Sequence, residues 1–520
     1  MKRRILAMLL ALAMFAGIGS VALAEETDEF AQLLTDMYDE VEIEYRPDVR
    51  WWLAEGLNTD ATLTKNVQQI YDSGFGAAEF LAMPEPSADS TLYGWGSEEW
   101  TADSQLIIHE AAELGLGFSL TSGTHWANAN LPDTYTWDGE PYDPDNKAAS
   151  KELDYTTVAL AAGETFSGAL PYSVRPEGEE GDFGANVVYT EEEFMGVVAA
   201  KVVTAREGYG VDGAEGEGTG VLDLASVVDL TDTVVEGEDG YTLEWTAPDD
   251  GDYALFVYWM HGTGQTSEPS VSKNYTVNYM DSYGIEALID YWEENILTED
   301  LREVLQASGR GEIYMDSLEV STYGAGGLFW GYNFKDEFEA RMGYDITPYL
   351  PFICAADGRS TGGSAKSYDY NASTDADNDT ITKARTDYYN VMSDMYEENV
   401  LAPLQEWLHG YNMTLRAEPS YGFNFEISTP AKYIDGIETE SFAQNADVEL
   451  YRGILGSANM YGRLFSSETG AVGGHNYYFN MDEWTQLCYL QFVNGINRTV
   501  FHGYSAIEGS EGDTYWPGHE

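Results

Sequence analysis

The sequence predicts an α/β fold, a (β/α)8 TIM-barrel with an inserted β-sandwich module after the third strand, and three observations predict it. Short apolar runs alternate with stretches of helical periodicity on both sides of residues 151–277, which is the rhythm of repeated βα units. Several of these runs end in a carboxylate, as at residues 311–320 (Gly-Glu-Ile-Tyr-Met-Asp-Ser-Leu-Glu-Val), 414–418 and 464–468. Acids at the C-terminal ends of different strands are how the catalytic face of such a barrel is built. Between residues 151 and 277 the βα rhythm gives way to period-two alternation with glycine-rich turns, the mark of a strand-only module.

In chain order, Lys2, Arg3 and Arg4 precede an apolar run over residues 5–16, and Ala22-Leu23-Ala24 offers small residues before Glu25 and Glu26. This predicts a signal peptide over residues 1–24, cleaved near Ala24, and a secreted, extracellular protein. The run is shorter than the ~20 residues a membrane span needs. Residues 25–150 are expected to form the first part of the barrel, with strands at 49–53, 77–83 and 117–121. The helix over 62–73 repeats Leu63, Val67 and Ile70 at helical spacing and stops at Gly74, and a second helix spans 97–114. The inserted module, 151–277, has strands at 156–160, 198–204, 241–245 and 253–259.

Residues 278–520 complete the barrel. A helix over 285–296 leads into the fourth strand near residue 312; a helix over 334–342, an extended stretch over 343–351 and a polar loop over 355–379 follow. Asp375, Asp377 and Asp379 in that loop lack the glycine and final glutamate of a calcium loop, so they read as solvated acids. A long helix over 382–409 precedes strands at 413–418, 434–440, 464–468 and 499–504, with helices over 448–461 and 481–495. The eighth strand has no convincing helix after it, so the barrel is expected to be truncated C-terminally, as part of a longer protein.

The formal net charge of -65, from 25 basic and 90 acidic residues, repels phosphate backbones and anionic lipid and excludes nucleic acid as a partner. Beyond the leader, no stretch is long and apolar enough for a membrane span in the mature protein. Cys354 and Cys488 are too few for a disulfide framework and are expected to be free and buried. The 37 Tyr and 13 Trp lean toward carbohydrate, because sugar C–H faces pack on aromatic rings.

There is no Ser-His-Asp pattern at convincing spacing, no phosphate-binding glycine loop and no Cys/His cluster, so the chemistry falls to carboxylates. Asp316, Glu319, Glu418, Glu438, Glu440 and Glu468 lie at or near strand ends. Any one could be a salt-bridge or rim acid, but several acids gathered at one rim cost stability unless a function retains them. Hydrolysis of a glycosidic bond uses two. Asp316 and Glu319 face opposite sides if the strand continues through both, and can share a cleft if it ends near Ser317.

The segments Tyr314-Met315-Asp316-Ser317-Leu318-Glu319, Glu337-Phe338, Arg341-Met342-Gly343-Tyr344-Asp345 and Pro348-Tyr349-Leu350-Pro351 resemble the core of glycoside hydrolase family 106, the α-L-rhamnosidases. So do Trp51-Trp52, His125-Trp126, Ser467-Glu468, Asn497-Arg498 before Val500-Phe501-His502, and Pro517-Gly518. The resemblance implies an inverting hydrolase with two glutamates, matched here by Glu319 as acid and Glu468 as base. It also implies calcium (Ca2+) near the sugar hydroxyls, with Glu418 and Glu440 as ligands, and substrate contacts from Trp52, His125, Trp126, Asp316, Glu418 and His502. The expected function is a secreted glycosidase removing terminal α-L-rhamnosyl or similar deoxy-sugar residues from polysaccharide. The alternative is a carbohydrate-binding protein with an inactive barrel, which has no need of glutamates on both the fourth and the seventh strand. A metal-dependent lyase or esterase would use histidine ligands, and only seven His occur.

Overall fold

The computed structural model describes residues 41–505 apart from 55–57, 84–88, 125–128, 173–190, 207–217, 239, 267–271, 325–326, 356–366, 420–424, 442–446 and 472–478, together with residues 32 and 35. The signal-peptide segment, His125, Trp126 and everything after Ser505 lie outside the described residues.

The expected (β/α)8 barrel is present. Asp48–Ala54, Ala77–Met83, Gly117–Thr121, Gly311–Met315, Thr414–Ala417, Gly436–Glu440, Leu464–Thr469 and Arg498–Ser505 pair in sequence order as a closed parallel sheet. The eighth strand closes on the first, with Asp48 opposite Val500. Successive side chains on a strand point to opposite faces. In the first strand Val49, Trp51 and Leu53 therefore pack outward with Leu63, Val67 and Ile70 of the helix Asp60–Asp72, while Arg50 faces the barrel interior. That helix starts at Thr59, whose hydroxyl accepts from Thr62 N in a capping box. Helix Glu98–Leu114 starts under Ser97 and ends at Gly115, where φ is 74° and a side chain would be strained.

Among the described residues the module is built mainly from two sheets. The larger runs Leu328–Trp330, Lys151–Leu160, Tyr253–Gly262, Glu193–Thr204, Gly220–Asp229 and Tyr370–Ala372; the smaller holds Val235–Gly237, Gly240–Thr246 and Thr165–Ala169. Tyr253–Gly262 is buried along its whole length, and period two divides its load. Tyr253, Leu255, Val257 and Trp259 pack with Val197, Ala199 and Leu243 between the sheets, whereas Ala254, Phe256, Tyr258 and Met260 join the main core. Both edge strands come from beyond the fourth barrel strand, so the sheet extends past the boundary expected at residue 277.

The structure corrects three expectations. Helix Glu299–Ser308 was not expected; it buries Leu301 and Leu305 and packs Val304 against the core, the i, i+3, i+4 face of an amphipathic helix. The polar loop over 355–379 contains strand Tyr370–Ala372, and helix Asp375–Tyr396 begins inside it under a Thr374 cap. Asp375 and Asp377 stand in its first turn, where the positive end of the helix dipole favours acids. Cys354 is buried as expected, but Cys488 is only partly buried, because helix Met481–Val493 buries Gln491 alone. No helix among the described residues is long and apolar enough to cross a membrane.

Candidate active site

The barrel interior is built from alternate residues of its strands, and many of them are charged. Asp48 and Arg50, Glu79, Glu312 with Tyr314 and Asp316, Arg416 with Glu418, Glu438 with Glu440, and Glu468 are all buried. Arg416 donates from Nε to Glu312 Oε1 at 2.8 Å and also pairs with Glu79 and Glu438. Its guanidinium lies 4.0 Å over the Tyr314 ring. Arg50 donates from Nε to Glu79 Oε1 at 2.6 Å, and from Nη1 to Glu468 Oε2 at 2.5 Å and Asp316 Oδ2 at 3.2 Å. Arg498 joins Glu312 Oε2 at 2.9 Å and pairs with Asp48. The arginines thus tie strand to strand beneath the rim.

Acids outnumber these cations, and their titration divides accordingly. Burial pushes Glu312 upward, but Arg416 and Arg498 overcome it and hold the carboxyl down at about 2. Toward the C-terminal ends the balance reverses. Burial raises Asp316 to about 7, Arg50 offsetting part of the rise and Glu468 adding to it. Burial also raises Glu468 and Glu438. Glu418 is pushed well above the usual carboxylate range by burial and by the neighbouring Glu440, Asp316 and Glu468.

Oxygen atoms of Asp316, Glu418 and Glu468 all lie within 4.8 Å of one another. Both carboxylate oxygens of Glu418 are buried without a hydrogen-bond partner among the described residues. An orphaned buried carboxyl beside two more hard oxygen donors fits a calcium ion. Of the expected ligand pair, Glu418 belongs to this group; Glu440 is its charged neighbour and stands outside it. Asp316, expected to contact substrate, and Glu468, expected as the base, complete the group.

The fourth strand ends at Met315, so Asp316 and Glu319 are not bound by strand alternation. Tyr314 Oη donates to Asp316 Oδ1 at 3.3 Å and Ser317 N to the same oxygen at 2.7 Å. Glu319 follows on the loop, partly exposed, with Ser317 Oγ donating to its Oε1 at 3.2 Å. Trp52 packs edge to face on His502, ring centroids 4.6 Å apart, and His502 Nε2 is 3.6 Å from Glu468 Oε1. Trp52, His502, Arg50, Asp316, Glu418 and Glu468 therefore meet at one place.

A family model described as alpha-L-rhamnosidase, glycoside hydrolase 106, matches residues 198–510. The chain belongs to glycoside hydrolase family 106. The family 106 match spans the fourth to the eighth barrel strands and holds Glu319, Glu418, Glu440 and Glu468, while the first three strands precede it. A solved structure titled "Structure of Rhamnosidase from Novosphingobium sp. PP1Y" aligns with a TM-score of 0.64 at 15% identity, over 90% of this chain and 56% of that one. That likeness shows the fold, and this family 106 chain spans little more than half the length of the solved protein. No curated protein matches it.

Proposed function

We propose that this family 106 protein removes terminal α-L-rhamnosyl, or similar deoxy-sugar, residues from polysaccharide with inversion, and that it does so outside the cell. The observation that carries the reading is the convergence of buried acids from different strands at one end of a family 106 barrel. Inversion needs a general acid at the leaving oxygen and a general base on water. Glu319 is assigned as acid, since its partly exposed loop position lets it regain a proton from solvent. Glu468 is assigned as base, with Arg50 fixing Oε2 and leaving Oε1 toward His502. Trp52, on whose ring His502 packs, supplies an apolar face beside it for a sugar ring, and His502, His125 and Trp126 are assigned further substrate contacts. Asp316 and Glu418 would hold calcium beside Glu468, with Glu440 supporting Glu418. The bound ion would supply positive charge that favours the ionised acids and orients sugar hydroxyls. Secretion rests on the basic and apolar leader before Ala24.

Purified protein is expected to hydrolyse an aryl α-L-rhamnoside and to leave a panel of other aryl glycosides intact. Saturable binding of rhamnoside with no hydrolysis would return the protein to the carbohydrate-binding class.

Calcium at 100 times its Kd is expected to stabilise the protein by about 2.7 kcal/mol, read as a rise in Tm. The effect has a pH sign. Because Asp316 titrates near 7 rather than in the usual carboxylate range, it holds a proton at pH 5 that calcium must displace. At one fixed calcium concentration the shift should be larger at pH 8 than at pH 5, and Glu418→Gln should reduce it at both. An unchanged Tm at pH 8 would remove the ion from the site.

A further inference from the structure

The loop that carries Glu319 is held by the inserted module. Gln265, buried just beyond the module strand Tyr253–Gly262, donates from Nε2 to the carbonyl of Glu319 at 2.7 Å and accepts at Oε1 from Ser321 N at 3.0 Å. One side-chain amide thus grips both sides of Val320 as a neighbouring strand would. Gln265 is itself fixed, its N–H donating to Thr263 Oγ1 at 3.2 Å and its carbonyl accepting from Thr276 N at 3.1 Å.

Farther along the same loop, Glu152 Oε2 accepts from Tyr323 N at 2.7 Å and Gly324 N at 2.9 Å. His261 lies between Glu152 and Asp154, with Nε2 2.9 Å from Asp154 Oδ2. The approach is close, since a Cβ on Gly324 would stand 2.5 Å from Asp154 Oδ2. Strand Leu328–Trp330 then pairs with Lys151–Leu153. Between Glu319 and Trp330 the described residues are therefore fastened to the module at successive points, the carbonyl of Glu319 among them.

We propose that Gln265 is a positioning residue for the reaction: it sets the backbone on which Glu319 stands and so aims that carboxyl, which makes the inserted module part of the catalytic apparatus. The inference rests on the assignment of Glu319 as a catalytic group. Its physical basis is that a misplacement of about 1 Å at a reacting group can cost about 10²-fold in rate, and a loop holds no such precision unless its backbone groups are tied down.

The test uses the full chain and an aryl α-L-rhamnoside. Gln265→Met keeps the volume and removes both hydrogen bonds; kcat should fall by about 10-fold to 100-fold with KM little changed. Gln265→Glu supplies an independent readout. Its new carboxylate repels the Glu319 carbonyl when ionised and restores the donor when protonated, so activity relative to the parent should recover as pH falls. Because Gln265 acts through Glu319, adding Gln265→Met to Glu319→Gln should cost nothing further. If Glu319→Gln is inactive while Gln265→Met turns over at the parent rate, the inference fails and the assignment of Glu319 stands. Losses that multiply in the double variant reduce Gln265 to a structural role and also overturn it. Full turnover by Glu319→Gln would instead overturn the catalytic assignment, and the inference with it.

Discussion

Glu468→Gln is expected to lower kcat on an aryl α-L-rhamnoside by roughly 10²-fold or more, with substrate affinity nearly intact. The amide has the size of the carboxylate and can still accept from Arg50, whose Nη1 lies 2.5 Å from Glu468 Oε2. It cannot take a proton from water, which is the step a base contributes in an inverting hydrolase. A carboxylate that only binds sugar behaves otherwise. Its replacement loses a charge-assisted hydrogen bond of about 1.5 to 3 kcal/mol, and the loss is read in affinity. Glu319→Gln should follow the same kinetic pattern as Glu468→Gln. Steady-state kinetics with a separate binding measurement distinguish the cases: unchanged kcat with weakened binding in both variants would assign the glutamates to a binding site.

Arg416→Met is expected to destabilise the fold by about 3–5 kcal/mol, because it strips a shared cation from buried carboxyls. Glu79, Glu312 and Glu438 all lean on Arg416, and total stability is only about 5–15 kcal/mol. The penalty carries a pH sign. Glu312 is held down at about 2 by Arg416 and Arg498 against the effect of burial, so its contribution is present above the ordinary carboxylate range and is lost as pH falls through about 2. In the variant the stranded acids cost most when ionised. Thermal melts should therefore show a larger drop in Tm at pH 8 than at pH 4; equal drops would mean that lost packing outweighs charge.

The barrel strands were legible because each is a local apolar run, and the rim acids because they stand where those runs end. Arg50, Glu79, Glu312 and Arg416 were missed for a physical reason. A single charge inside a short apolar run reads as solvent-facing until the sheet closes and brings residues as distant in sequence as Arg416 and Glu79 together. A signal was nonetheless present. Arg50 shares the period-two parity of Trp52, and Glu312 that of Tyr314, on their own strands, so each pair had to face the same side of the sheet.

The polar segment over 355–379 misled because composition outweighed the Thr374 cap, a helix-start signal present in the sequence. The hold of the module on the fourth-strand loop was not legible at all. Gln265 and Glu319 become neighbours only once the inserted sheet has folded back over the barrel.

The most direct measurement of the proposed chemistry is a proton NMR time course of aryl α-L-rhamnoside hydrolysis by the wild-type protein. Attack of activated water opposite the leaving group gives β-L-rhamnose first, with the α anomer growing in only as the free sugar mutarotates. If α-L-rhamnose is the first sugar released, the reaction proceeds with retention and the roles given to Glu319 and Glu468 are contradicted.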